Sequence, residues 1–222
     1  MDYERIKIKL TILVLCLAGL AMLTPSVFSE ETLLDDFQNG LSPKWKEKVF
    51  KGKTQYEVVK EDDRLCIKAT SKASASGLHF KLDYDLRDYP ILTWSWKIDR
   101  VISKGDALKK AGDDYAARVY VVFPTWNFWN PKAIIYIWAN NLPQGKTVPS
   151  PFSKNTMMMA LESGHKRSQR WIQERRNVLE DYRKLFGNDP PRVGGVAIMT
   201  DTDNTGEKAT AWYGPIRILS DE

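Results

Sequence analysis

The run Ile91-Leu92-Thr93-Trp94-Ser95-Trp96-Lys97-Ile98-Asp99 decides the fold. Apolar and polar residues alternate along it, the period-two pattern of a strand with one buried face. Leu92, Trp94, Trp96 and Ile98 share one side, opposite Thr93, Ser95 and Lys97. Two indoles among aliphatic neighbours place these tryptophans in a core rather than on a ligand platform.

The same reading extends outward to residues 56–60, 64–70, 77–83, 115–123, 133–139, 156–162, 192–200 and 209–219. The breaks between these runs are rich in Gly, Pro, Asn, Asp and Ser. One helix interrupts the series. Asn177 caps it, Glu180 sits three residues later, and Val178, Leu179, Tyr182, Leu185 and Phe186 recur on one side before Gly187 and the Pro190-Pro191 pair end it. Many strands, one short helix and no βαβ alternation predict an all-β, antiparallel sandwich.

The N-terminus reads as a cleaved signal peptide over residues 1–29. Arg5, Lys7 and Lys9 precede an apolar stretch from Leu10 to Leu23, and Val27-Phe28-Ser29 supplies the small residues of a cleavage site. That stretch is shorter than the roughly 20 residues that span a bilayer, so no membrane span is expected after cleavage. Leu15 stands before Cys16 where a lipoprotein signal needs a small residue. Residues 30–222 then form a single domain, expected in the periplasm or secreted. Cys66 is its one cysteine, so no internal disulfide is available. A formal charge of +5 on the whole chain does not announce nucleic acid, and export argues against that partner.

Four groups of residues carry candidate function. Strand parity places Arg118 and Tyr120 on one side of 115–123. It assigns Ile135 and Ile137 to the inside of the next strand, and Tyr136, Trp138 and Asn140 to its other side. If the two strands are neighbours, Arg118, Tyr120, Tyr136, Trp138 and Asn140 form a polar-aromatic sheet face. Such a face suits sugars, whose axial C–H groups stack on rings while Arg and Asn bond hydroxyls. The alternative is a second layer that covers this face and pairs Arg118 with an acid such as Asp114. Next, the loop Pro124-Thr125-Trp126-Asn127-Phe128-Trp129-Asn130-Pro131 presents Trp126 and Trp129 either at a glycan- or membrane-contacting tip or folded back onto the core. Residues 165–176 are the most basic stretch, and read as an anionic-polymer contact or as a solvated connection.

The fourth group is Asp201-Thr202-Asp203-Asn204-Thr205-Gly206, between two strand-like runs. Asp201, Asp203 and Asn204 offer oxygens to a hard cation such as calcium, or bond their own backbone in a hairpin turn. Thr205 stands at the fifth position and Trp212 at the twelfth, and no helices flank the loop, so this is not an EF-hand. Enzyme signatures are thin: there is no G-x-S-x-G, H-E-x-x-H or P-loop pattern.

Several stretches together resemble a family of exported bacterial proteins of unknown function. They are Asp35-Asp36-Phe37, Trp94-Ser95-Trp96-Lys97, the acidic-to-apolar run 113–123, Glu180-Asp181-Tyr182-Arg183, and Met199-Thr200 with the acidic loop that follows. The resemblance implies a jelly-roll sandwich, similar in outline to carbohydrate-binding modules and some polysaccharide lyases, with no assigned site residues. Gly214-Pro215 departs from the Gly-Asp of that family, which removes one carboxylate near the acidic loop. The expected function is non-catalytic, calcium-assisted binding of a polysaccharide of the cell envelope. A polysaccharide lyase or glycoside hydrolase is the first alternative, and a structural envelope interaction protein the second.

Overall fold

A computed structural model describes residues 31–125 and 131–221. The leader read over residues 1–29 and the tryptophans Trp126 and Trp129 lie outside the described residues. In chain order the strands are β1 (Glu31–Asp35), β2 (Trp45–Lys51), β3 (Gln55–Glu61), β4 (Arg64–Lys72), β5 (Ala75–Tyr84), β6 (Ile91–Ile98), β7 (Arg118–Phe123), β8 (Lys132–Ala139), β9 (Thr147–Ser150), β10 (Ser153–Ser163), β11 (Ile172–Asn177), β12 (Val193–Asp201), β13 (Lys208–Tyr213) and β14 (Ile216–Leu219). Helix α1 (Val178–Phe186) follows β11 directly.

The strands form two sheets. One runs β1-β14-β6-β13-β4-β3, with β11 on the free side of β6, and the other runs β2-β5-β12-β7-β8-β10-β9. All pairs are antiparallel except β8 with β10. Gly214-Pro215 divides the C-terminal run into β13 and β14, which pair with successive halves of β6. Helix α1 begins as its sequence predicts. Asn177 Oδ1 accepts from the Glu180 backbone N–H at 3.0 Å, and Gly187 closes the helix at φ 73, a conformation that favours glycine.

The core lies between the sheets, and its centre is aromatic. Trp94 and Trp96 of β6 meet edge-to-face at 5.5 Å; Trp94 packs on Tyr136 at 5.3 Å and Trp96 on Trp138 at 5.9 Å. All four rings are fully buried. The expectation for Trp94 and Trp96 is met.

The expectation for the strand of Tyr136 and Trp138 is reversed. In the β7–β8 register, Val119 pairs with Tyr136, Tyr120 with Ile135, and Arg118 with Ile137. Tyr136 and Trp138 therefore point inward, and Ile135 and Ile137 share the outer side with Tyr120 and Arg118. Parity failed because both sides of β8 are buried. The segment between β6 and β7 folds over the outer face, where Ala107 and Tyr115 pack on Ile135, Ile137, Ala139, Met158 and Ala160. Both phases of β8 are apolar or aromatic, so no polar phase fixes its parity. The polar atoms of the inward rings are satisfied locally: Tyr136 Oη donates to Asp181 at 2.8 Å and Trp138 Nε1 to the Gly164 carbonyl at 3.0 Å.

Candidate functional site

The outer face of the second sheet is covered at one end and carries a trough at the other. Its register lays the side chains out in rows across the strands. Lys48, Gly77, Met199 and Arg118 make one row; Lys46, His79, Ala197, Tyr120 and Ile135 the next; Lys81, Gly195, Val122 and Ala133 the third. Small residues on β5 and β12 lower the middle of the face. Gly195 is required there, since a Cβ would meet the Phe80 carbonyl oxygen at 2.8 Å. The resulting trough has a volume of about 510 Å³ and is lined by Lys48, Phe50, His79, Lys81, Tyr120 and Thr156 around the floor of Gly77, Gly195 and Ala197. Phe50 is 60% exposed, a large ring left in solvent on an edge strand, with Lys48 Nζ 5.3 Å from its centroid.

At the covered end Arg118 is buried beneath Tyr115. Its guanidinium pairs with Asp201 and, at 3.4 Å, with Asp113, and lies 4.8 Å from the Tyr115 ring centroid. Arg118 Nε and Asp113 Oδ1 find no hydrogen-bond partner among the described residues. The acidic loop joins this node from the β12–β13 connection. Asp114, fully buried, accepts from the Asn204 side-chain amide at 3.0 Å and from the Thr205 backbone N–H at 2.6 Å. Carboxylate oxygens of Asp114, Asp201 and Asp203 lie within 4.8 Å of one another, close enough to share a cation. Burial pushes the Asp201 carboxyl up to about 8 against the pull of Arg118, and the charges of Asp114 and Asp113 add to the rise.

A third ionisable group closes the edge where β11 approaches β10. Trp96 Nε1 donates to Glu174 at 3.1 Å, and Arg167 Nη1 donates to the buried Glu162 at 2.6 Å. Burial first, and the nearby Glu162 charge next, push Glu174 up to about 7.

A family model described as DUF3047, protein of unknown function, matches residues 43–217. The chain belongs to this family. A comparison of the DUF3047 chain with curated proteins finds no match. Among solved structures it is similar to the family 30 carbohydrate-binding module of a cellulosomal cellulase of Clostridium thermocellum, with 11% identity, a TM-score of 0.51, and coverage of 87% of this chain and 99% of that one. It also matches the Emp47p carbohydrate recognition domain at 13% identity and a TM-score of 0.49, over 86% of this chain and 95% of that one. The first likeness shows the fold, a sandwich of carbohydrate-binding-module type. Among the described residues of the DUF3047 chain no helix is long and apolar enough to cross a membrane.

The polar-aromatic face expected from the sequence does not assemble. Of its members only Tyr120 lines the trough. Arg118 is held in the acidic node, and Tyr136 and Trp138 belong to the inter-sheet core. Asn140 ties two segments together, accepting from the Ile102 N–H at 2.9 Å and donating to the Asp114 carbonyl at 2.8 Å. Asp201 and Asp203 do converge. The third acid beside them is Asp114, while Asn204 turns its amide nitrogen onto Asp114 and Asp203. Residues 172–176 of the basic stretch belong to strand β11 and pair with β6. The trough residues Lys48, Phe50, His79 and Lys81 escaped sequence reading. The alternation of His79-Phe80-Lys81-Leu82 was the signal, but β2, which supplies Lys48 and Phe50, alternates too weakly to stand out as a strand.

Proposed function

We propose that this DUF3047 protein is an exported, non-catalytic polysaccharide-binding domain that works in the periplasm or outside the cell and binds its ligand in the trough of the second sheet. The observation that carries this reading is the trough itself: Phe50, Tyr120 and His79 stand around a floor of glycine and alanine. Rings stack on the C–H faces of sugars, and a floor without side chains lets a chain of pyranoses approach the sheet. The fold likeness to a carbohydrate-binding module supports the same reading. The leader-like order of the first residues supports export. Protein from the periplasmic fraction is expected to begin near Glu30 by mass, and full-length chain held in the inner membrane would sink that part.

A panel of soluble polysaccharides titrated against the protein tests the binding. Phe50→Ala and Tyr120→Ala are each expected to weaken a bound glycan by on the order of 1 kcal/mol. Failure of every glycan to bind would overturn the reading, and product accumulating with time would move the protein to the lyase or hydrolase class.

The acidic node carries a second reading, a calcium site at Asp114, Asp201 and Asp203. Convergence of three carboxylates favours it; the Arg118 guanidinium on Asp201 opposes it. Calcium that binds the folded state alone raises stability by about 2.7 kcal/mol at a hundredfold excess over Kd. Identical melting curves with calcium and with chelator would leave the node as a folded turn held by hydrogen bonds.

A further inference from the structure

We propose that the polysaccharide taken by the trough is a polyanion carrying carboxylates, as uronate residues do, and that Lys48 and Lys81 receive them. The inference rests on the glycan-binding reading and narrows it to one ligand class. Lysines face the trough, and among the described residues no carboxylate side chain lines it. The acids of the same strands are accounted for elsewhere. Glu47 lies on the opposite side of β2 and is within 3.6 Å of Lys53, and Asp83, farther along β5, holds Arg192 at 2.5 Å. Lys48 and Lys81 make no salt bridge among the described residues, and neither does Lys46 in the row between them.

The spacing argues for a polymer. Lys48 pairs with Gly77 and Lys81 lies four residues farther along β5, which separates their rows by roughly 13 Å. A ligand that meets both ends spans more than one sugar ring. Phe50 and Tyr120 offer ring faces beside the cations, so the same strip recognises a sugar as well as its charge. A bare anion would use the lysines and ignore the rings.

The test compares polygalacturonate with a neutral xylan of similar length, by calorimetric titration of the full mature chain at about 20 and about 200 mM salt. Polygalacturonate is expected to bind more tightly and to lose affinity with salt. Lys48→Gln with Lys81→Gln is expected to weaken it about tenfold or more, because charge-assisted hydrogen bonds are lost, with little effect on any binding of xylan. Phe50→Ala is expected to weaken polygalacturonate as well, and to leave inorganic polyphosphate binding unchanged. Equal, salt-insensitive binding of both glycans, or full affinity in the folded double glutamine variant, overturns the polyanion inference and leaves the glycan reading standing. Polyphosphate competing as well as polygalacturonate, with Phe50→Ala inert, also overturns it in favour of a general anion surface. Absence of binding to either glycan defeats the polyanion inference, and the same result across the whole glycan panel defeats the glycan reading with it.

Discussion

The two ends of one sheet face treat charge in opposite ways. At the covered end Arg118 is 4% exposed and held by Asp201 and Asp113 under the Tyr115 ring. At the trough end Lys48 and Lys81 stand exposed, with no acid across from them among the described residues. The difference follows from solvent. A charge taken out of water needs a partner in the fold, whereas one left in water does not, and is free to meet a ligand. Arg118 on this view maintains the fold, and the lysines are the part of the face available for recognition.

The largest effect expected from this contrast is at Arg118. Above about pH 8, where Asp201 is ionised, Arg118→Ala leaves the carboxylates of Asp201 and Asp113 buried without their cation and should cost about 3–5 kcal/mol in urea denaturation. Arg118→Met combined with Asp201→Asn should recover much of the loss, because the uncompensated charge of Asp201 goes with its partner. A loss in Arg118→Ala below about 1 kcal/mol would mean that the node is solvated, and the contrast between the two ends would collapse.

Glu174 is the intermediate case, partly buried and held by a single indole N–H at 3.1 Å. Its carboxyl rises from 4.5 to about 7, so the folded chain keeps this proton to higher pH than the unfolded chain does. The stability it contributes is present below the unfolded value and is lost as pH rises through about 7. Glu174→Gln keeps an acceptor for Trp96 and cannot ionise. The variant should therefore be more stable than the parent at pH 8 by about 1–2 kcal/mol, after allowance for screening at a partly exposed edge, and indistinguishable near pH 4.5. Parallel stability profiles across that window would show Glu174 to be solvated.

Sequence revealed those parts of the fold where the two sides of a strand differ in polarity, whether or not one of them meets water. In β6 the polar phase of Thr93, Ser95 and Lys97 fixed the direction of Trp94 and Trp96, and the cap signals of α1 were local and complete. In β8 the reading inverted, since Ile135 and Ile137 lie under the β6–β7 segment and both phases are apolar or aromatic. That cover is a long-range event that no local pattern announces. The candidate site suffered for the same reason. The aromatic residues of β8 cluster in one apolar run and are buried, whereas Phe50 stands alone on an edge strand. The acidic loop was legible because its oxygens are contiguous in sequence, while Asp114 comes from a connection 87 residues earlier than Asp201 and needed the fold to bring it there.

The smallest effect belongs to the trough lysines, and its smallness is what the contrast requires. Lys81 makes no ion pair among the described residues and lies on the exposed side of β5, so Lys81→Ala should change stability by less than about 0.5 kcal/mol. Lys48 also sits 5.3 Å from the Phe50 ring centroid, a contact worth about 0.5–1 kcal/mol at an exposed site, so Lys48→Ala should cost slightly more. Raising salt should leave Lys81→Ala level with the parent or slightly improve the parent, because neighbouring cations on this face repel and salt screens that repulsion. Denaturation curves of the two variants beside the parent, at low and high salt, measure this. A loss at Lys81 approaching that at Arg118 would reveal a hidden structural partner for the lysine, and the trough would then be another covered, charge-paired surface rather than a place for a ligand.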